Sequence, residues 1–232
     1  MRRKLGALLL LASFAVAAAA SAQTRTGTPL PAAKGANENA AVAKAQAALD
    51  AKQWPEAEAA LKPLASSEPR AEYSEALGNA QYNQAHYEDS LASYQRAIEL
   101  APANAVPGRI YTMIGNANLK LKRNDAAIAA YNKAAALDPH PAVAYFNICA
   151  VLYNIGETAK ALAACDKAIA ADPKKADAWF IKGSVMVAEA TIGKNGKTTV
   201  PPGTVEALKQ YLVLAPDGAH ANDVKQMLDF LK

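Results

Sequence analysis

The sequence predicts an all-α fold, an α-solenoid of antiparallel helix pairs closed by a C-terminal capping helix. Three observations carry that expectation. Hydrophobic residues make up 52% of the chain, with alanine prominent among them, while aromatic residues are only 6%. Alanine is the best helix former, and helices packed closely through small side chains fit this composition better than one large core of rings. From about residue 38 the apolar residues recur with a helical period, broken by proline at regular intervals. Three segments, 71–104, 108–141 and 142–175, superpose on one another, and self-similarity at such a period signals stacked repeats.

Taken from the start, the chain opens on a basic tetrapeptide, Met1-Arg2-Arg3-Lys4, and an apolar run from Leu5 to Ala20. The run closes on Ala20-Ser21-Ala22, small residues where a signal peptidase cuts, with Gln23 next. Its 16 residues fall short of the roughly 20 that span a bilayer. Residues 1–22 therefore read as a cleaved signal peptide, and no membrane insertion is expected after cleavage. The formal charge of +4 drops to 22 basic against 21 acidic residues once this segment is removed. No basic patch argues for nucleic acid. Residues 23–37, with Thr, Gly, Pro and Ala and no helical period, read as a flexible linker.

The repeats occupy the rest, 38–232. Gly78, Gly115, Cys149 and Gly183 form one series, spaced 37, 34 and 34. Ala97, Ala134 and Ala168 form a second, and Pro102, Pro139 and Pro173 a third, each spaced 37 and 34. The three extra residues of the first interval fall in a loop at Ala103–Pro107. One repeat reads Tyr111, Ile114-Gly115, Ala127, Tyr131, Ala134, Pro139; the next reads Tyr145, Ile148-Cys149, Ala161, Cys165, Ala168, Pro173. The period of 34 and this order of large and small residues resemble the tetratricopeptide repeat. Gly or Ala sits where two short helices must approach closely. An aromatic on the second helix fills the gap to the next unit, and Pro stops that helix. Each hairpin leaves an apolar face open, so units stack.

Weaker units flank these three. Residues 38–70 carry Trp54, Ala57, Leu61, Leu64 and Pro69, a degenerate first repeat. Trp179 and Gly183 open a further repeat over 176–218, whose second helix is delayed by an inserted loop, Thr191–Gly203. The loop holds Gly193, Gly196, Pro201 and Pro202, with a short hairpin around Asn195-Gly196 as one option. Tyr211 stands where the other repeats have Ala. Residues 219–232 place Val224, Met227, Leu228 and Leu231 on one face, as a solvating cap requires.

Catalysis is not expected. His86, His140 and His220 are scattered at turns, and no metal-binding, phosphate-binding or nucleophile motif is present. Neither a metal nor a cofactor is implied. Cys149 and Cys165 fall at similar heights on the two helices of one hairpin. They are either two buried inert thiols or an intra-repeat disulfide formed after export.

What the resemblance implies is binding of an extended peptide or partner protein on the concave face lined by the first helices. Carried onto this sequence, that face offers Asn79, Tyr82, Asn116, Phe146, Asn147, Tyr153 and Phe180. Rings of this kind pack on apolar groups, and amides pair with peptide backbone. A family subtype that captures a C-terminal carboxylate needs Lys and Arg where this chain has Thr112, Asp177 and Ile181, so carboxylate capture is not expected. The function expected is an exported interaction module or scaffold, periplasmic or secreted. The alternatives are a chaperone-like holder of unfolded envelope proteins and an enzyme or carbohydrate-binding protein whose site is built from the Thr191–Gly203 loop, where no His, Asp or Glu stands. Protein exported by a living cell is expected to begin at Gln23, which N-terminal sequencing or intact mass checks; a chain still starting at Met1 would indicate an anchor instead.

Overall fold

The computed structural model describes residues 3–4, 29–32, 34–102, 106–193 and 198–232. The expected signal peptide lies outside the described residues except for Arg3 and Lys4, as do residues 23–28 and 33 of the expected linker. Eleven helices follow: α1 (Ala36–Asp50), α2 (Trp54–Ser67), α3 (Ala71–Asn83), α4 (Tyr87–Leu100), α5 (Gly108–Lys120), α6 (Asn124–Leu137), α7 (Ala142–Asn154), α8 (Thr158–Ala171), α9 (Ala176–Ala188), α10 (Thr204–Leu214) and α11 (Ala221–Phe230). The chain forms an α-solenoid of helix pairs, α1/α2 through α9/α10, with α11 as the final helix. It divides into two compact units, one over 19–138 and the other over 139–232, which also takes the strand β1 (Arg3–Lys4).

Why each hairpin turns where it does is visible in the backbone. Lys52, Ala85, Lys122 and Gly156 each have positive φ, between 55° and 82°, and each sits in the turn between the two helices of one pair. At the second pair the N–H of Ala85 bonds to the Tyr82 carbonyl (3.0 Å) and the N–H of His86 to the Gln81 carbonyl (3.0 Å). That paired pattern is the Schellman motif, which satisfies the last carbonyls of a helix while reversing the chain. The same six-residue bond recurs from Gln53 to Ala48 (2.8 Å), Arg123 to Asn118 (2.8 Å) and Glu157 to Leu152 (2.9 Å).

What holds the two helices together is a contact between a residue with almost no side chain and a large one 16 positions later. A Cβ added at Gly78 would lie 2.6 Å from Cε1 of Tyr94, and one at Gly115 would collide with Tyr131. Tyr94 and Tyr131 are completely buried. In the first pair Ala45 and Leu61 take these places, both wholly buried. In the fourth, Cys149 and Cys165 do, joined in a disulfide with Cα atoms 5.0 Å apart. In the fifth, a Cβ at Gly183 would lie 2.6 Å from Leu208; the inserted loop adds the extra spacing.

Unit 19–138 has a continuous apolar cluster that includes Val42, Leu61, Leu64, Tyr73 and Leu77. It also has a buried polar group. Glu58 of α2 accepts hydrogen bonds from Gln84 Nε2 (2.6 Å) and Gln81 Nε2 (3.4 Å), and pairs with Lys62 Nζ at 2.8 Å. Ser93 Oγ of α4 in turn donates to Gln81 Oε1 (2.6 Å), and His86 Nδ1 lies 3.7 Å from Glu58. The network ties α2 to α3 and α4 with buried polar atoms all partnered, the condition under which buried polar groups are tolerated.

In unit 139–232 the inserted loop forms two short strands, β2 (Thr191–Ile192) and β3 (Thr198–Thr199), antiparallel with Thr191 opposite Thr199. β1 pairs along the other edge of β2, Arg3 opposite Ile192. Tyr211 is engaged in the turn that leads to α11. Its hydroxyl accepts the N–H of His220 at 3.0 Å, and Gly218 leaves it room, since a Cβ there would lie 2.5 Å from that hydroxyl. The ring thus fixes the turn into α11, whose Ala221, Val224 and Met227 are buried.

Two outcomes follow from these contacts. Gly78→Ala forces a methyl into the Tyr94 ring and should cost about 1–3 kcal/mol in urea unfolding. The Gly156→Ala control has nothing within 4 Å of its new methyl and should lose only the smaller backbone cost of an αL residue, about 1 kcal/mol. The second concerns acid. Burial pushes the Glu58 carboxyl up, but hydrogen bonds from Lys62, Gln84 and Gln81 outweigh it and hold it below its ordinary value of 4.5. A depressed carboxylate adds stability above that ordinary value and loses it as pH falls through the lower folded value. Urea midpoints measured from pH 6 down to pH 3 should therefore drop more steeply for the wild type than for Glu58→Gln.

Candidate peptide-binding face

In unit 19–138, α3 carries Glu75, Asn79 and Tyr82 at successive turns of one face, and α5 carries Thr112, Asn116 and Leu119 at the equivalent places, 37 residues on. Helical periodicity sets this column, because positions four and seven apart share a face. The two columns are clamped at one end. Arg109, in the first turn of α5, makes a two-pronged bond to Glu75, Nε to Oε1 at 2.6 Å and Nη2 to Oε2 at 2.9 Å. The hydrogen bond to Glu75 raises the Arg109 guanidinium further above its ordinary value.

The amides are oriented from beneath. Tyr94 donates its hydroxyl to Oδ1 of Asn79 (2.9 Å), and Tyr131 donates to Oδ1 of Asn116 (2.7 Å). These are the same two tyrosines whose rings fill the glycine contacts at Gly78 and Gly115. Burial pushes both phenols far up, so each stays a hydrogen-bond donor. With the oxygen of each carboxamide committed to the core, its NH2 group is the part available as a donor to a peptide carbonyl. Asn79 is half-buried and Asn116 only 5% exposed, so Asn79 is the more accessible of the two. Tyr82 is half-buried and meets Tyr87 edge to face, centroids 5.4 Å apart; burial raises its phenol.

Unit 139–232 arranges the expected residues differently. Tyr153 is half-buried, its phenol raised by burial. Phe146, Asn147 and Phe180 are 2%, 4% and 1% exposed, so the expectation that all three present themselves to a partner is corrected. Lys175 lies over the Phe146 ring, its Nζ 4.8 Å from the centroid. Asn147 precedes the Ile148-Cys149 pair and occupies the register of Ala76 and Ile181, both buried. Phe180 is stacked flat on His220 at 3.9 Å, with Tyr211 at 5.7 Å. Ser184, one turn further on, donates to the Phe180 carbonyl at 2.8 Å and has Met227 of α11 at 3.9 Å. The final helix therefore covers this end of the α9 face.

Residues the sequence left unremarked complete the picture. Arg109 sits 34 residues after Glu75, one ordinary repeat, but a single opposite charge at that spacing carries no signal of its own. Gln46 of α1 stands 33 residues before Asn79 and holds the same place in the first pair; the Ala45 and Leu61 spacing would have located it. Among the described residues no group of three or more His, Cys, Asp or Glu is placed to hold a metal. No described helix is long and apolar enough to cross a membrane.

Helix pairs with a small-to-large interior contact, repeated in register and ended by a further helix, define a helical-repeat protein. The tetratricopeptide-repeat family model matches residues 42–105, 76–142 and 112–176, more than half of the chain, and the chain belongs to that family. Proteins of the family are in general non-enzymatic interaction scaffolds. Solved structures with this fold include MamA (22% identity, 77% of this chain and 92% of that one, TM-score 0.64). Another is residues 41 to the end of MamA from Desulfovibrio magneticus RS-1 (20% identity, 81% and 99%, TM-score 0.65). A third is YrrB, described as a TPR protein with an unusual peptide-binding site (21% identity, 82% and 94%, TM-score 0.61). At these identities the likeness is one of fold. No curated protein matches the chain in sequence.

Proposed function

We propose that this chain is an exported interaction module that binds an extended segment of a partner protein along the face of α3 and α5. The observation that carries the reading is the tethering of the half-buried Asn79 to the buried Tyr94 at 2.9 Å, beside the half-exposed ring of Tyr82. Orienting a carboxamide in advance removes the entropy cost of ordering it on binding. An amide donor next to an apolar ring suits a peptide, whose backbone carbonyls and side chains alternate along its length. Export is supported by the basic and apolar N-terminus closing on Ala20-Ser21-Ala22. The paired Cys149 and Cys165 also support it, since structural disulfides persist in oxidising compartments.

The test is affinity capture by mature protein, residues 23–232, from an envelope extract, beside a Tyr82→Ala variant of unchanged helicity. The proposal expects a small set of proteins retained by wild type and reduced at least fivefold by the variant, as loss of an interface aromatic implies. Equal retention by both would move binding off this face. A broad set of unrelated chains lost together would favour the holder of unfolded proteins over a dedicated scaffold.

A further inference from the structure

The stretch Pro29-Leu30-Pro31 precedes α1, yet it is seated on the repeats. The N–H of Leu30 donates to Oε1 of Gln46 on α1 at 2.9 Å. The hydroxyl of Tyr73 on α3 donates to the Pro31 carbonyl at 2.7 Å. The Leu30 side chain packs on the apolar cluster of this unit. Gln46 holds in the first pair the place that Asn79 and Asn116 hold in the next two, and Tyr73 is wholly buried with only its hydroxyl committed outward to the strap.

We infer that α1 and α3 form a second peptide groove, selective for an extended proline–apolar–proline segment, and that the chain's own Pro29-Leu30-Pro31 occupies it as an intramolecular competitor. The fit is chemical. Proline has no N–H, so Leu30 carries the one backbone donor of the three residues, and Gln46 takes it. Leu30 precedes a proline and is thereby confined to extended backbone, so little order is lost when such a segment docks. The flanking prolines leave carbonyls as the remaining backbone groups, and Tyr73 supplies a donor to one. Only a few residues separate the strap from the first turn of α1, so its local concentration is on the order of millimolar. A partner segment must outcompete it, or something must pull it away.

This rests on reading the chain as a peptide binder, but on a groove apart from Tyr82, so the two fail separately. The probe is a fluorescent synthetic peptide of this chain's own residues 24–34, titrated into mature protein and followed by anisotropy. Wild type should bind it weakly, because the groove is filled. Leu30→Asp, which removes the apolar anchor of the strap, should bind at least tenfold more tightly. Adding Gln46→Ala or Tyr73→Phe to that variant should take back about tenfold, the effect of one lost hydrogen bond, while adding Tyr82→Ala should change nothing. Equal binding by wild type and Leu30→Asp overturns the proposal, as does binding indifferent to Gln46 and Tyr73. Should Leu30→Asp lose helicity, hydrogen exchange of wild type decides: a protected Leu30 amide that Gln46→Ala exposes upholds the seated strap, and an unprotected one refutes it.

Discussion

Each hairpin depends on one contact between a small residue of the first helix and a residue of the second, 16 positions later in the first four pairs and 25 in the fifth, where the loop intervenes. Where glycine stands on the first helix, the partner ring or leucine lies where a Cβ would be. Close approach of this kind gains dispersion over the whole length of two packed helices. It is also intolerant, because a methyl has nowhere to go. Alanine with leucine in the first pair, and two cysteines in the fourth, are different solutions to the same distance. The cysteine solution replaces a packing contact by a covalent one.

That contact also builds the candidate site. The tyrosines that fill the glycine gaps extend their hydroxyls through the hairpin to Asn79 and Asn116 on the opposite side. Core and candidate face are therefore mechanically one object in this unit: a change that moves the ring moves the amide. The cysteine pair and Leu208 carry no hydroxyl, so they fix their helices without presenting an oriented amide. The polar face is thus strongest on α3 and α5. In the other unit the α9 face is closed instead by His220 and Met227.

The periodic positions were legible in the sequence because they are local. Helix period, proline stops and the glycine series all follow from backbone and steric rules that act within one or two turns. The candidate site was legible only in part. Asn79, Tyr82 and Tyr153 lie on half-open faces, whereas Phe146, Asn147 and Phe180 are buried. Phe180 stands in the column of Glu75, Thr112 and Phe146, and His220, 40 residues on, carries no pattern linking it to that ring. The strap was read as linker for a related reason: Pro29-Leu30-Pro31 has no helical period, and its ordering comes from Gln46 and Tyr73, which lie 16 and 42 residues away.

The sequence by itself determined the all-helical repeat, its register and its family, because a 34-residue period with glycine, alanine and proline in fixed places has few physical solutions. Tertiary structure alone decided which side chains remain exposed. It placed a disulfide where two other repeats put a ring, buried a carboxylate among Lys62, Gln81 and Gln84, laid the final turn and helix over the α9 face, and seated a proline-flanked leucine against Gln46 of α1. Each of these depends on groups brought together across the fold, and a single side chain's exposure is set by neighbours that its own sequence context does not name.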